Sequence, residues 1–249
     1  MTHKILLYVP PILSFQVSDM KRRNNDDIVV IIPTLNEAEG IGPTLAELRS
    51  VLEDPTFLVI DGNSVDGTAE IARKMGAEVY LQKGKGKGLA IAQVLEHVNS
   101  NARYIVFVDA DYTYPAIYIP EMIRILDEDL SVGMVVGNRF NSNFDVKRSM
   151  LNAYYFGNRL LALMHSLASG IDMKDPLSGL RVVRWSLLRN WRPKSRGFDV
   201  EAELNFYVAK KGYRIVEVPI EYRPRLGEKK LGLRHGFIIL RRILTEALG

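Results

Sequence analysis

The chain's 249 residues are 47% hydrophobic and 25% charged, which excludes a disordered or fibrous protein and allows one large α/β domain with a full core. The absence of cysteine excludes disulfides, thiolate metal sites and a cysteine nucleophile, and the four dispersed histidines, His3, His97, His165 and His235, do not make a zinc site. A net charge of +4 and a pI near 9.2 suit an anionic partner: a nucleotide, a membrane surface or a nucleic acid.

Residues 1–27 read as a tail outside the fold, because the apolar stretch ILLYVPPIL is interrupted by Pro10 and Pro11 and followed by Lys21, Arg22 and Arg23, a poor secretory signal. From Ile28 an order of strand, polar turn and helix repeats. The predicted elements are IVVII and a helix through Leu45 to Val51, FLVI and Thr68 to Met75, AEVYL and Gly88 to Val98, YIVFVD and Ile117 to Asp129, then GMVVG. Short apolar strands alternating with amphipathic helices predict an α/β fold with a mostly parallel, Rossmann-like sheet and helices on both faces. Ligands bind such sheets beyond the carboxyl ends of the strands. The turns PTLNE, DGNSVDGT, KGKGKG and DADYTYP all follow strands and are expected to share one crevice.

Just past the first strand, Asn36 and Glu37 stand where backbone amides and a helix start could receive a nucleotide's base and ribose. The same residues suit an N-cap and an acidic first turn. Asp61 ends the next strand as a candidate nucleotide contact, and Asp66 reads as a helix N-cap. KGKGKGLA is neither a P-loop nor a dinucleotide fingerprint. Its glycines would let the backbone approach a ligand, with Lys85 or Lys87 facing phosphates; a solvated loop is the other reading. Asp109 and Asp111, at i and i+2 beyond a strand, can both reach one Mg²⁺ or Mn²⁺ ion and leave room for substrate phosphates, although Asp-x-Asp also serves as an ordinary turn.

The second half predicts a long amphipathic helix over about Lys147 to Ser169, a turn DPLSG, a helix through Glu201 to Lys210, a strand YRIVEVPIEY, a basic loop and a final helix HGFIILRRILTEAL. Between Tyr222 and Arg242, seven cationic side chains face Glu228 alone. No apolar run reaches the roughly 18 to 20 residues of a transmembrane helix, since the best candidate, Leu151 to Ile171, contains Arg159 and His165. Core packing and peripheral contact with anionic headgroups both fit these amphipathic segments.

Taken jointly, PTLNE, DGNSVDGT, the Gly-Lys loop, VDADYTYP, GNRF, DPLSGLRV, GFDVEAEL, GYRIVEVPIEYRPR and GEKKLG resemble the family 2 glycosyltransferases of the GT-A fold, over Ile28 to about Arg234. The resemblance is greatest to the dolichyl-phosphate or polyprenyl-phosphate mannose and glucose synthases. It implies a catalytic domain over residues 28–234, with a donor half 28–115 and an acceptor half 116–234, followed by a basic amphipathic helix 235–249. The implied reaction is metal-dependent transfer of a hexose, with inversion, from a nucleotide sugar of the GDP-mannose or UDP-glucose type to dolichyl or polyprenyl phosphate. The implied enzyme is peripheral on the cytoplasmic face of the membrane and has no nucleic-acid partner.

On this resemblance the metal-binding D-x-D falls on Asp109 and Asp111, with Arg139 as a further catalytic residue. Donor binding falls on Pro33, Thr34, Asn36, Glu37, Asp61, Lys87, Ala110 and Lys229, and acceptor binding on Arg139, Arg148, Ser149, Ser178 and Arg181. Structural pairing of Arg139 and Arg181 with core carboxylates, and a solvated helix start at Arg148, are the plainer readings. The polyprenyl-phosphate branch often shows D-A-D-x-Q, whereas this chain has Thr113 in place of the Gln. A monoester phosphate with a second pKa near 6 is mostly ionised at neutral pH, so no obligatory base is expected. Asp199, Glu201 and Glu203 lie where other family members carry a catalytic carboxylate, and here would position loops and basic residues. The alternatives are a soluble transferase acting on a small acceptor such as a phosphoglycerate, a nucleic-acid-binding protein, which would need a module this chain lacks, and a binding subunit without catalysis.

Overall fold

In the computed structural model, which describes residues 27–140, 153–228, 230 and 232–248, the strands form one sheet in the order β3-β2-β1-β4-β6-β5-β7. The strands are β1 (Ile28–Thr34), β2 (Thr56–Asp61), β3 (Glu78–Leu81), β4 (Tyr104–Phe107), β5 (Val132–Asn138), β6 (Arg181–Arg184) and β7 (Arg214–Pro219). Between them run α1 (Ala38–Val51), α2 (Thr68–Lys74), α3 (Lys87–Val94), α4 (Ile119–Glu128), α5 (Ala153–Ser169), α6 (Trp185–Leu188) and α7 (Val200–Lys210), and α8 (Leu233–Leu248) follows β7. All neighbours pair in parallel except β6, which is antiparallel to both β4 and β5. The carboxyl ends of the other strands therefore share one rim with the start of β6, and the DPLSG turn joins that rim.

Because successive strand residues point to opposite faces, Val30 and Ile32 pack beneath α1 and α4, while Val29 and Ile31 pack against α3 and α7. Both faces are covered, so the strands read as continuous apolar runs. Ile41, Leu45 and Leu48 supply the helical stripe of α1, and Ile119, Met122, Ile123 and Leu126 that of α4. Each such fully buried side chain stabilises the fold by roughly 1.5–3 kcal/mol. A third cluster joins Leu161 of α5, Ala202 and Phe206 of α7, and Ile239 and Ile243 of α8.

α8 begins at Leu233, and its Ile239 and Ile243 belong to the third buried cluster. The strand β6 was not anticipated: RVVR is too short, and too charged at its ends, to stand out from the turn before it. At the other end, the Asp27 carbonyl accepts bonds from the amides of Arg103 and Tyr104, so the fold already includes Asp27. Residues 1–26 and 141–152 lie outside the described residues.

Candidate active site

A crevice of about 500 Å³ opens at the rim beyond β1 and β4. Pro33, Thr34 and Glu37 line it from the first turn, Gln82, Gly86 and Lys87 from the Gly-Lys loop, and Asp109, Ala110 and Asp111 from the turn after β4. It is also lined by Arg139, Glu201, Tyr222, Arg225, Lys230, Arg234 and His235, and by the apolar Leu177, Phe198 and Ile239. Three of the four expected turns thus converge. The fourth, DGNSVDGT, supports the first: Ser64 Oγ, Thr68 Oγ1 and Asp66 Oδ2 accept bonds from the amides of Asn36, Glu37 and Ala38 at 2.8, 2.8 and 3.0 Å. The helix-start amides expected to receive a nucleotide are therefore already occupied. The Glu37 carboxylate, not the backbone, faces the crevice.

The Asp109–Asp111 turn is held from several sides. A Cβ on Gly40 of α1 would collide with the Ala110 carbonyl oxygen, so that position admits only glycine at this approach, and one on Gly179 would displace the Asp109 carboxylate. Tyr112 lies at φ +65°, a costly region for a bulky residue, and the Arg223 guanidinium covers its ring at 4.5 Å. Thr113, wholly buried, donates its hydroxyl to Asp111 Oδ1 at 2.6 Å. The turn is more enclosed than a solvent-facing one, for Asp111 is itself buried.

Cations meet these carboxylates directly. Lys87 Nζ lies 2.6 Å from both Asp109 Oδ1 and Glu201 Oε1. Arg225 reaches Asp111 at 3.1 Å and Glu37 at 2.5 Å, and Lys230 reaches Glu37 at 2.5 Å. Burial works to raise the Asp109 pKa, but the adjacent Lys87 ammonium outweighs it and holds the carboxyl below its usual value. Asp111 is shifted upward by burial and by the Asp109 charge, and Glu37 upward by burial. Despite burial, the two flanking carboxylates push the Lys87 pKa upward. One oxygen of Glu37, Oε2, and the Nε of Arg225 are buried without a partner among the described residues, as expected of groups awaiting a polar ligand.

Arg139 reaches the crevice but is bidentate to the buried Asp175, with both bonds at 2.7 Å, and lies over the Tyr222 ring. Asp175 is held in turn by Glu217, which accepts its amide at 2.7 Å. Four expected contacts lie elsewhere. Asn36 Oδ1 accepts the amide of Val65. Asp61 is buried and accepts from Thr34 Oγ1, Ser64 Oγ and the Ser64 amide. Arg181 is 1% exposed and gives its donors to the carbonyls of Pro176 and Ser178 and to Asn205 Oδ1. Ser178 is fully buried beside it. Asp61 and Arg181 are thus spent on internal partners, Arg181 on an amide and two carbonyls and not on a carboxylate. Arg148, Ser149 and Lys229 lie outside the described residues. Arg225 and Lys230 were read only as part of a basic stretch; the RPR that follows β7 was the available signal.

No group of three or more His, Cys, Asp or Glu side chains suited to a metal exists among the described residues. Two carboxylates on one turn nevertheless fit Mg²⁺ or Mn²⁺, which commonly binds through one or two carboxylates together with substrate phosphates.

The sequence pattern described as glycosyl transferase family 2 matches residues 29–190. The chain belongs to this family. Within family 2, it is 34% identical over 208 residues to the dolichyl-phosphate hexose transferase of Haloferax volcanii, covering 83% of this chain and 87% of that one. It is 30% identical over 221 residues to the undecaprenyl-phosphate mannosyltransferase of Micrococcus luteus, covering 82% and 87%. The fold matches glucosyl-3-phosphoglycerate synthase of Mycobacterium tuberculosis, solved with Mn²⁺, UDP and glucosyl-3-phosphoglycerate. The TM-score is 0.68 at 22% identity over 90% of this chain and 79% of that one. This family 2 chain therefore has the GT-A fold.

Proposed function

We propose that the protein transfers a hexose, with inversion, from a nucleoside-diphosphate sugar to a polyprenyl phosphate of the dolichyl type. The observation that carries this reading is a single crevice lined both by carboxylates and cations around Asp109 and Asp111 and by the apolar side chains Leu177, Phe198 and Ile239. The names of the Haloferax and Micrococcus relatives support a lipid-phosphate acceptor. Lys87, Arg225 and Lys230 are placed to bind the donor's diphosphate, and Glu37 to accept from its nucleoside. Asp109 and Asp111 would hold Mg²⁺ or Mn²⁺, which when bound offsets charge on the departing diphosphate. Arg139 orients the acceptor phosphate, which attacks the anomeric carbon from the face opposite the leaving group. No side chain need remove a proton, because the acceptor oxygen is already ionised.

Leu177 and Ile239 belong to the cluster that joins α5 and α8, and both helices carry apolar side chains that face outward: Leu160, Leu163 and Leu167 on α5, and Phe237, Ile238, Leu244 and Leu248 on α8. α5 and α8 pack together, and Arg234 and Arg241 stand exposed on the second. Among the described residues no helix is long and apolar enough to cross a membrane. The proposal therefore docks this face on the anionic cytoplasmic leaflet, bringing the lipid phosphate to the crevice. Labelled GDP-mannose, UDP-glucose and UDP-N-acetylglucosamine, each offered with polyprenyl phosphate or 3-phosphoglycerate, test the assignment. Labelled lipid from one donor is the expected result, and label only on phosphoglycerate would reject it.

A further inference from the structure

We infer that Glu201 is a positioning residue that acts through Lys87, an inference that rests on the nucleotide-sugar reading of the crevice. Of the three carboxylates at the start of α7, Asp199 and Glu203 share Arg242, at 3.0 and 4.0 Å, and only Glu201 meets Lys87. Asp199 accepts from Arg242 Nε at 3.0 Å, tying α8 to α7. Glu203 accepts the amides of Lys194 and Ser195 at 2.7 and 2.6 Å, fixing the loop before α7. Glu201 meets Lys87, and Lys87 meets Asp109, each at 2.6 Å.

The spacing of this trio is set by the backbone. The Gly88 and Leu89 amides donate to the carbonyls of Gly197 and Arg196, so the start of α3 is docked on the loop that Glu203 holds. Lys87 is then suspended between carboxylates from two different elements. An ammonium has three donors. Two are used on Asp109 and Glu201, and the third is left for an anion in the crevice that Lys87 lines. With one carboxylate alone, the flexible lysine stem would settle on it. Bonded equally to Asp109 and Glu201, the ammonium is fixed between them, which leaves its third donor to serve a diphosphate oxygen. Glu201 Oε1 is occupied by Lys87, and in this reading the carboxylate acts on the donor only through that ammonium.

Calorimetric binding of GDP and UDP to the whole chain without metal, followed by donor kinetics with Mn²⁺, tests this. Glu201→Gln is expected to weaken binding of whichever nucleotide the wild type prefers by roughly tenfold, and to leave the already weakened Lys87→Met protein unchanged, because the effect passes through that lysine. Donor KM should rise in Glu201→Gln while kcat at saturating donor stays within a few-fold. Equal loss from Glu201→Gln in both backgrounds would overturn the inference, as would a collapsed kcat with unchanged KM, the mark of a residue acting on the reacting atoms. If Lys87→Met does not fold, the split between KM and kcat decides alone. Wild type that binds neither nucleotide, with or without Mn²⁺, would remove the transfer reading and this inference together, whereas a binding wild type with additive variants removes only the inference.

Discussion

Thr113 holds the Asp111 carboxylate with its hydroxyl at 2.6 Å and its amide at 3.2 Å, so the residue that departs from the D-A-D-x-Q pattern has a defined role in the turn. Asp109→Ala or Asp111→Ala should abolish transfer and Mn²⁺ binding while circular dichroism stays native; transfer near the wild-type rate, or undiminished by EDTA, would reject the metal assignment. Arg139→Ala should be costly to the fold, by about 3–5 kcal/mol, because it leaves the buried Asp175 without its charge partner. Arg139→Lys is therefore the variant for kinetics, with KM for lipid phosphate expected to rise far more than KM for the donor. Equal rises would make Arg139 purely structural. His165 is fully buried; with Asn205 Oδ1 taken by Arg181, the Asn205 amide is assigned to donate to His165 Nε2. Burial, then the Arg181 charge, lowers its pKa from 6.5 to about 4. Between those values the unfolded chain binds a proton that the folded chain refuses, so stability falls as pH drops through that window, by at most about 3 kcal/mol. Urea midpoints at pH 7 and 4.5 should converge in His165→Gln relative to wild type; an unchanged pH slope would contradict this.

The two C-terminal amphipathic elements each divide their faces. α8 turns Ile239 and Ile243 to α5 and α7, and Arg242 to Asp199, while Phe237 and Leu244 face outward. Ile243→Ala should lower unfolding stability by about 2–5 kcal/mol through the cavity it leaves. A midpoint indistinguishable from wild type would return α8 to the status of an appended helix. Periodicity in the sequence showed that both segments are amphipathic but left core and membrane as alternatives. The fold assigns one face to the core, because α7 lies alongside both helices, and no local rule states which neighbour a helix will have.

At the scale of the molecule, docking through α5 and α8 predicts co-sedimentation with anionic liposomes at low salt, and substantial release at about 0.5 M NaCl, where the Debye length falls below roughly 5 Å. Phe237→Glu with Leu244→Glu should abolish it without changing nucleotide affinity, while Arg241 is the cation to neutralise, since Arg234 lines the crevice and Arg242 is spent on Asp199. Binding untouched by these changes would remove the membrane face. The sequence by itself determined the strand and helix order through β5, the burial of the central strands β1, β2, β4 and β5, and the turns that converge at the rim, because apolar period and turn chemistry are properties of neighbouring residues. It also marked Asp109, Asp111, Glu37, Lys87 and Arg139. Only the tertiary structure decided that β6 inserts in reverse between β4 and β5, that Asp61 and Arg181 are consumed by internal partners, and that Arg225 reaches Glu37 from 188 residues away. Those outcomes depend on strand register and on which groups burial leaves in need of a partner, and such pairings exist only once distant segments are packed together.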